Sequence, residues 1–187
     1  LACFRMLRWD SHFACAECWG VLWEVDESGT VATKAKDSDT ITVLRSTEHC
    51  SESFNVAVRS LSYDGKGLQS YHHTLGLCGT GYNWSQCNAR SLGGSFSFNL
   101  KSGQLHLDGS EESFSSGMGL DDLVEFQVNR ETKTVVVTHS KPDGGHKERT
   151  VEWPRMPLSL YLAVSMDDVG SSVQIEDLGG LTKAARS

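Results

Sequence analysis

Cys15 and Cys18 are two residues apart, with Cys3 and His12 upstream. Thiolate and imidazole are the donors that tetrahedral zinc takes, and a close cysteine pair is half of such a site. The Cys3 to His12 interval is unusual, however, and no second close pair follows. Ordinary thiols are therefore the expectation for Cys3, His12, Cys15 and Cys18, with zinc as the alternative. His72 and His73 are neighbours at the start of an apolar strand, where adjacent side chains face opposite ways and do not readily share one ion. The acidic pairs Glu111-Glu112, Asp121-Asp122 and Asp167-Asp168 carry the oxygens calcium needs, but solvated turns are the simpler reading. No G-x-S-x-G elbow occurs. Gly79-Thr80-Gly81 and Gly117-Met118-Gly119 lack the further glycine or lysine of a phosphate loop. No catalytic residue and no cofactor is assigned.

A different chemistry is offered by the segment TGYNWSQCNARSLGG, residues 80–94. Tyr82, Asn83 and Trp84 stand among polar and small residues. Large aromatics in a polar loop either pack back onto the domain or bind something, and Trp and Tyr are enriched at binding hot spots. The alternative is that Trp84 folds back to plug the end of the domain. Asn83-Trp84-Ser85 also matches a glycosylation acceptor, a triplet that arises often by chance.

The elements that would position these residues are short strands. SFNVAVRS (53–60) sets Phe54, Val56 and Val58 on one side and polar or small residues on the other. Similar runs occur at 21–25, 30–35, 40–45, 71–79, 95–100, 104–107, 123–128, 134–138, 146–153, 158–166 and 171–178, joined by Gly, Asp, Ser and Pro turns. Residues 108–119 read as a polar loop, and Trp153 reads as core. About twelve strands with no long helical period give an all-β antiparallel sandwich and disfavour an α/β fold. The expected layout is an N-terminal extension or short helix over 1–18, the sandwich over 19–178 and a tail over 179–187.

With 187 residues the chain is long enough to bury roughly 70% of its unfolded surface. It carries 24 acidic and 17 basic side chains, a formal net charge of -7. No long basic cluster exists to attract a phosphate backbone, so nucleic acid is excluded as the expected partner. No stretch approaches the ~20 apolar residues of a membrane span. Arg5, Arg8 and Asp10 interrupt any signal-like apolar core. Six cysteines allow fifteen disulfide pairings in an extracellular chain. Cys78, inside HTLGLCG, reads instead as a small buried hydrophobe. Reduced thiols, and hence a cytoplasmic, intracellular location, are the expectation.

The order of these features resembles the B30.2/SPRY family. The segments that carry the resemblance are SFNVAVRS, HTLGLCGTGYNW, GGSFSFNLKSGQLHLDG, LDDLVEFQVNRETKTVVVTHSKPDGG and WPRMPLSLYLAVSMDDVGSSVQI, together spanning about residues 53–178. Three positions depart from the family pattern: Leu162 replaces a usual proline, Asn129 a usual aspartate, and Asp143-Gly144 a usual Asn-Gly turn. The resemblance implies a bent sandwich of concanavalin-like, jelly-roll architecture. It also implies a noncatalytic module that captures a protein or peptide partner through loops at one end and face. Such modules recruit substrates in ubiquitin ligases and related adaptors, so the full-length protein is a candidate ligase, although no RING lies in these residues. On that implication Tyr63, Asp64, Arg90 and Asp143 join Tyr82, Asn83 and Trp84 as candidate partner-binding residues. Two other readings stay open. In a lectin-type sandwich, Tyr82 and Trp84 would stack on sugars and carboxylates would hold calcium. A β-sandwich hydrolase would need paired carboxylates or a polarised nucleophile in a groove.

Overall fold

Alternation of apolar and polar side chains is the force that arranges this chain. The computed structural model describes residues 7–11, 23–36, 43–63, 73–80 and 94–176. Through them run thirteen strands: β1 (Trp23–Val25), β2 (Val31–Lys34), β3 (Val43–Arg45), β4 (Phe54–Ser62), β5 (Thr74–Gly79), β6 (Ser95–Asn99), β7 (Gln104–Leu107), β8 (Ser110–Ser113), β9 (Leu123–Asn129), β10 (Thr134–Ser140), β11 (His146–Glu152), β12 (Leu160–Ser165) and β13 (Ser172–Glu176). No helix occurs among the described residues. Two sheets result, in the orders β1-β2-β13-β4-β9-β10-β11 and β3-β12-β5-β6-β7-β8, with every pairing antiparallel. The expected all-β sandwich is what forms.

The core lies between the sheets. Val56 and Val58 of β4, Val124, Phe126 and Val128 of β9, and Val135 and Val137 of β10 face Leu75, Leu77, Phe96, Phe98 and Leu162. Phe96 meets Phe126 edge-on across the gap at 6.0 Å between ring centroids. Burying one such side chain contributes about 1.5–3 kcal/mol. Trp153, expected in the core, is fully buried and lies 6.1 Å from Phe96.

β5 and β6 are buried along their whole length, not on alternate residues. Their second face carries small or polar residues: Thr74, Gly76 and Cys78, and Ser95, Ser97 and Asn99. Gly76 is required there by close approach, because a Cβ would overlap the carbonyl oxygen of Phe96. Burial pushes the Cys78 thiol up to about 12.

Residues 108–119, expected as a loop, begin with a hairpin. Asp108 (φ 45°) and Gly109 (φ 90°) make the tight turn, and β8 pairs with β7 from Leu107↔Ser110 to Gln104↔Ser113. Within the stretch expected as an extension or short helix, residues 7–11 are the described part. They run along the free edge of β3: Asp10 N–H donates to the Arg45 carbonyl, and Thr47 N–H to that of Arg8. Trp9 pairs with Ser46 and is 2% exposed, so it belongs to the core.

Candidate functional site

The strand directions divide the candidate residues between two ends. β4 leads into Tyr63, and β5 starts at Thr74 on that same end. Six residues later β5 delivers Thr80 to the opposite end, about 20 Å away. There the chain re-enters the described structure at Gly94. Asp143 shares the Tyr63 end, because Ser140 pairs with Leu123 and Leu123 with Arg59. Asp64, Tyr82, Asn83, Trp84 and Arg90 lie outside the described residues, as do Cys3, His12, Cys15, Cys18 and His72.

At the Thr80–Gly94 end the two feet of the intervening segment are tied together. Gly79 N–H donates to Gly94 O at 2.9 Å, and Thr80 N–H to Ser159 O at 3.3 Å. Gly94 takes φ 92°, and its N–H donates to Asp108 Oδ1 at 2.6 Å. The other oxygen of that carboxylate accepts the Trp153 indole N–H at 3.1 Å. Beside them runs the loop 154–159. Arg130 holds it, donating to the Pro157 carbonyl, to Cys50 O at 2.7 Å and to Glu52 O at 3.5 Å. Partial burial lowers the Arg130 pKa from its ordinary value. Pro157 also packs on Gly79, where a Cβ would sit 2.7 Å from its ring. The loop so fixed projects Leu158, which is 90% exposed. Nearby, the Arg45 guanidinium lies 4.3 Å over the Tyr161 ring, and His49 meets that ring edge-on at 5.4 Å.

At the other end Tyr63 is half-buried, its ring edge-on to His73 at 5.6 Å. His73 is fully buried, 3.9 Å from Asp168. Asp143 is exposed, and its Oδ1 accepts Gly145 N–H at 2.9 Å, which shapes the β10–β11 turn. Leu120 and Val169 stand exposed here as well. Neither these two nor Leu158 stood out in the sequence; the signal was an apolar residue beside Asp-Asp or directly after PRMP.

The described residues also bring together Ser115, His139 and Asp122. Ser115 Oγ lies 2.8 Å from His139 Nδ1, and His139 Nε2 lies 2.8 Å from Asp122 Oδ2. This is the order of a nucleophile, a base and an orienting carboxylate. The surroundings are those of a structural latch. Asp122 Oδ2 also accepts Gly119 N–H at 2.8 Å, the Ser115 hydroxyl also reaches Ser116 O at 2.9 Å, and His139 packs 5.3 Å from Phe98. The network fastens residues 115–122 to β10. It also divides the Asp121-Asp122 pair, since Asp122 is buried and Asp121 exposed. Glu111 and Glu112 diverge similarly, Glu111 towards Gln104 and Glu112 to Arg149 at 2.5 Å. Among the described residues no three His, Cys, Asp or Glu side chains gather as a metal site.

No protein-family model matches the sequence, and no curated protein matches it. Solved structures do match. The SPRY domain of human HERC1 superposes with a TM-score of 0.66 at 15% identity, over 83% of this chain and 92% of that one. The fold is the SPRY-type β-sandwich. The TRIM65 PSpry domain agrees, with a TM-score of 0.66 at 12% identity over 92% of both chains. The stonustoxin structure matches with a TM-score of 0.63 at 15% identity, over 92% of this chain but 27% of that one. At these identities the likeness is one of fold. The SPRY-type frame accounts for the two loop-bearing ends without assigning either of them a ligand.

Proposed function

We propose that this chain is a noncatalytic recognition module that captures a protein or peptide through the Thr80–Gly94 end. On this reading it is the substrate-recruiting domain of a ubiquitin ligase or a related intracellular adaptor. Tyr82 and Trp84 are the aromatic anchors, with Asn83 and Arg90 on the polar rim. The observation that carries the proposal is the contrast at that end. The half-buried Arg130 guanidinium holds the backbone of the 154–159 loop, which projects Leu158 at 90% exposure, while the Asp108 carboxylate fixes the neighbouring Gly94 foot and the Trp153 indole. Rigid presentation of an apolar side chain lowers the ordering cost of association.

The test is capture from cell lysate by the wild-type chain and by a Tyr82→Ala/Trp84→Ala variant, read by mass spectrometry. Circular dichroism verifies that both are folded. Partners retained by the wild type and lost by the variant support the reading. Identical partners in both would move the site to another surface.

A further inference from the structure

β11 (His146–Glu152) is the last strand of the seven-stranded sheet, with β10 as its neighbour among the described strands. The two run in unbroken register from Thr134↔Glu152 to Ser140↔His146. Trp153 N–H donates to Lys133 O just beyond one end, and Lys141 N–H to Gly145 O just beyond the other. Bonded and non-bonded pairs alternate along an antiparallel ladder. The odd-numbered residues of β11 therefore bond to β10. His146, Glu148, Thr150 and Glu152 turn their N–H and C=O groups away from the sheet, and all four are exposed. No proline, glycine or bulge interrupts the strand. Such an edge is a template for another strand.

The side chains follow the same alternation. Lys147, Arg149 and Val151 pair with the buried His139, Val137 and Val135, and so lie on the core side. Arg149 there meets Glu112 of β8 at 2.5 Å, and Val151 packs against the core. His146, Glu148, Thr150 and Glu152 lie on the solvent side. Charges on an edge ordinarily discourage pairing, but here their order makes the strand complementary to itself. Two copies related by a two-fold axis at Arg149 place His146 opposite Glu152, Lys147 opposite Val151 and Glu148 opposite Thr150. Each imidazole then faces a carboxylate, and each lysine stem lies along valine methyls. The two central arginines meet, each already neutralised by its own Glu112. Sliding the strands by two residues is the smallest step that keeps the faces. It sets Glu148 against Glu148 in one direction and against Glu152 in the other, which is unfavourable.

We infer that β11 is a homodimerisation edge: two copies of this chain join antiparallel through it, with Arg149 at the axis. The ladder holds about eight N–H···O bonds, two for each bonded pair. One strand edge buries less than the ~800 Å² per partner of a standard interface, so the dimer is weak and concentration-dependent. The inference does not rest on the proposed function, because β11 is a sheet edge and not an end of the sandwich.

The test is sedimentation equilibrium of the intact chain from about 1 μM to about 200 μM. The mass is expected to rise from monomer towards dimer. Thr150→Pro removes an N–H that points off the sheet, so the β10 ladder loses no bond. That variant is expected to stay monomeric. His146→Glu alone and Glu152→Lys alone each weaken association by about tenfold. The double variant restores it. Within one strand the two positions are about 20 Å apart, and only the second copy brings them together. Thermal melts verify that each variant folds. A chain monomeric throughout, a dimer indifferent to Thr150→Pro, or a double variant as weak as the single ones would overturn the inference.

Discussion

Trp153 and Gly94 are held by the two oxygens of one carboxylate, that of Asp108, at 3.1 Å and 2.6 Å. A fully buried indole and the foot of the candidate binding segment therefore share an anchor. Replacing Asp108 with alanine strands a buried indole N–H and should cost about 1–3 kcal/mol. Asn tolerates the left-handed φ of 45° at this position and keeps one acceptor, so Asp108→Asn should cost less. Urea denaturation of the two variants gives the comparison. The same Asp108→Ala variant should lose captured partners at the Thr80–Gly94 end.

The Ser115–His139–Asp122 chain predicts non-additivity. His139→Ala removes a buried ring that both bonds and packs, and should destabilise by about 3 kcal/mol. Ser115→Ala, at a half-buried site, should cost about 1 kcal/mol. A double-mutant cycle of Asp122→Asn with His139→Gln should return a coupling of about 0.5–3 kcal/mol. Additive effects would show that the two side chains do not act as a unit.

Gly76 tests the two-sided burial of β5. An added methyl meets the Phe96 carbonyl, which is backbone and does not yield easily. Gly76→Ala should therefore destabilise by about 3 kcal/mol or more, or abolish soluble expression. Gly144→Ala, with nothing within 4 Å of its Cβ but a φ of 89°, should cost only about 1 kcal/mol. Chemical denaturation of both separates overlap from backbone strain.

These cases show what the sequence could reveal. Strands with one buried face, such as β9 and β10, were legible because Val124, Phe126 and Val128 alternate with polar residues. β8 was not, because SEES is exposed along its whole length and carries no apolar period. Its one signal was Asp108-Gly109, a strong hairpin dipeptide hidden in a polar tract. Trp9 was missed because a single buried aromatic makes no period. Tyr63 and Asp143 were legible as loop residues, but that they share an end opposite Thr80–Gly94 follows from strand directions, which spacing does not encode. The Ser115–His139 contact joins residues 24 apart whose meeting depends on two sheets.

Asp26 supplies a pH prediction. Its carboxylate accepts from Ser28 Oγ at 2.6 Å, Val31 N–H at 2.8 Å and Thr30 N–H at 2.9 Å. The Ser28 hydroxyl first, then the Val31 amide, hold its pKa below the ordinary value. A depressed carboxylate stabilises the fold above its unfolded pKa, about 3.9, and loses that contribution as pH falls through the folded value. Asp26→Asn should therefore be less stable than wild type at neutral pH, with the gap closing in acid. A gap that stays constant from neutral to acid pH would contradict this account of the turn.

The central claim is recognition through the Thr80–Gly94 end, and the most direct measurement is hydrogen exchange of the chain with and without its captured partner. The account predicts slowed exchange at residues 80–94 and 154–159, with the outer face of β10 and β11 unchanged. Protection confined to a sheet face, or none at this end in a saturated complex, would contradict it.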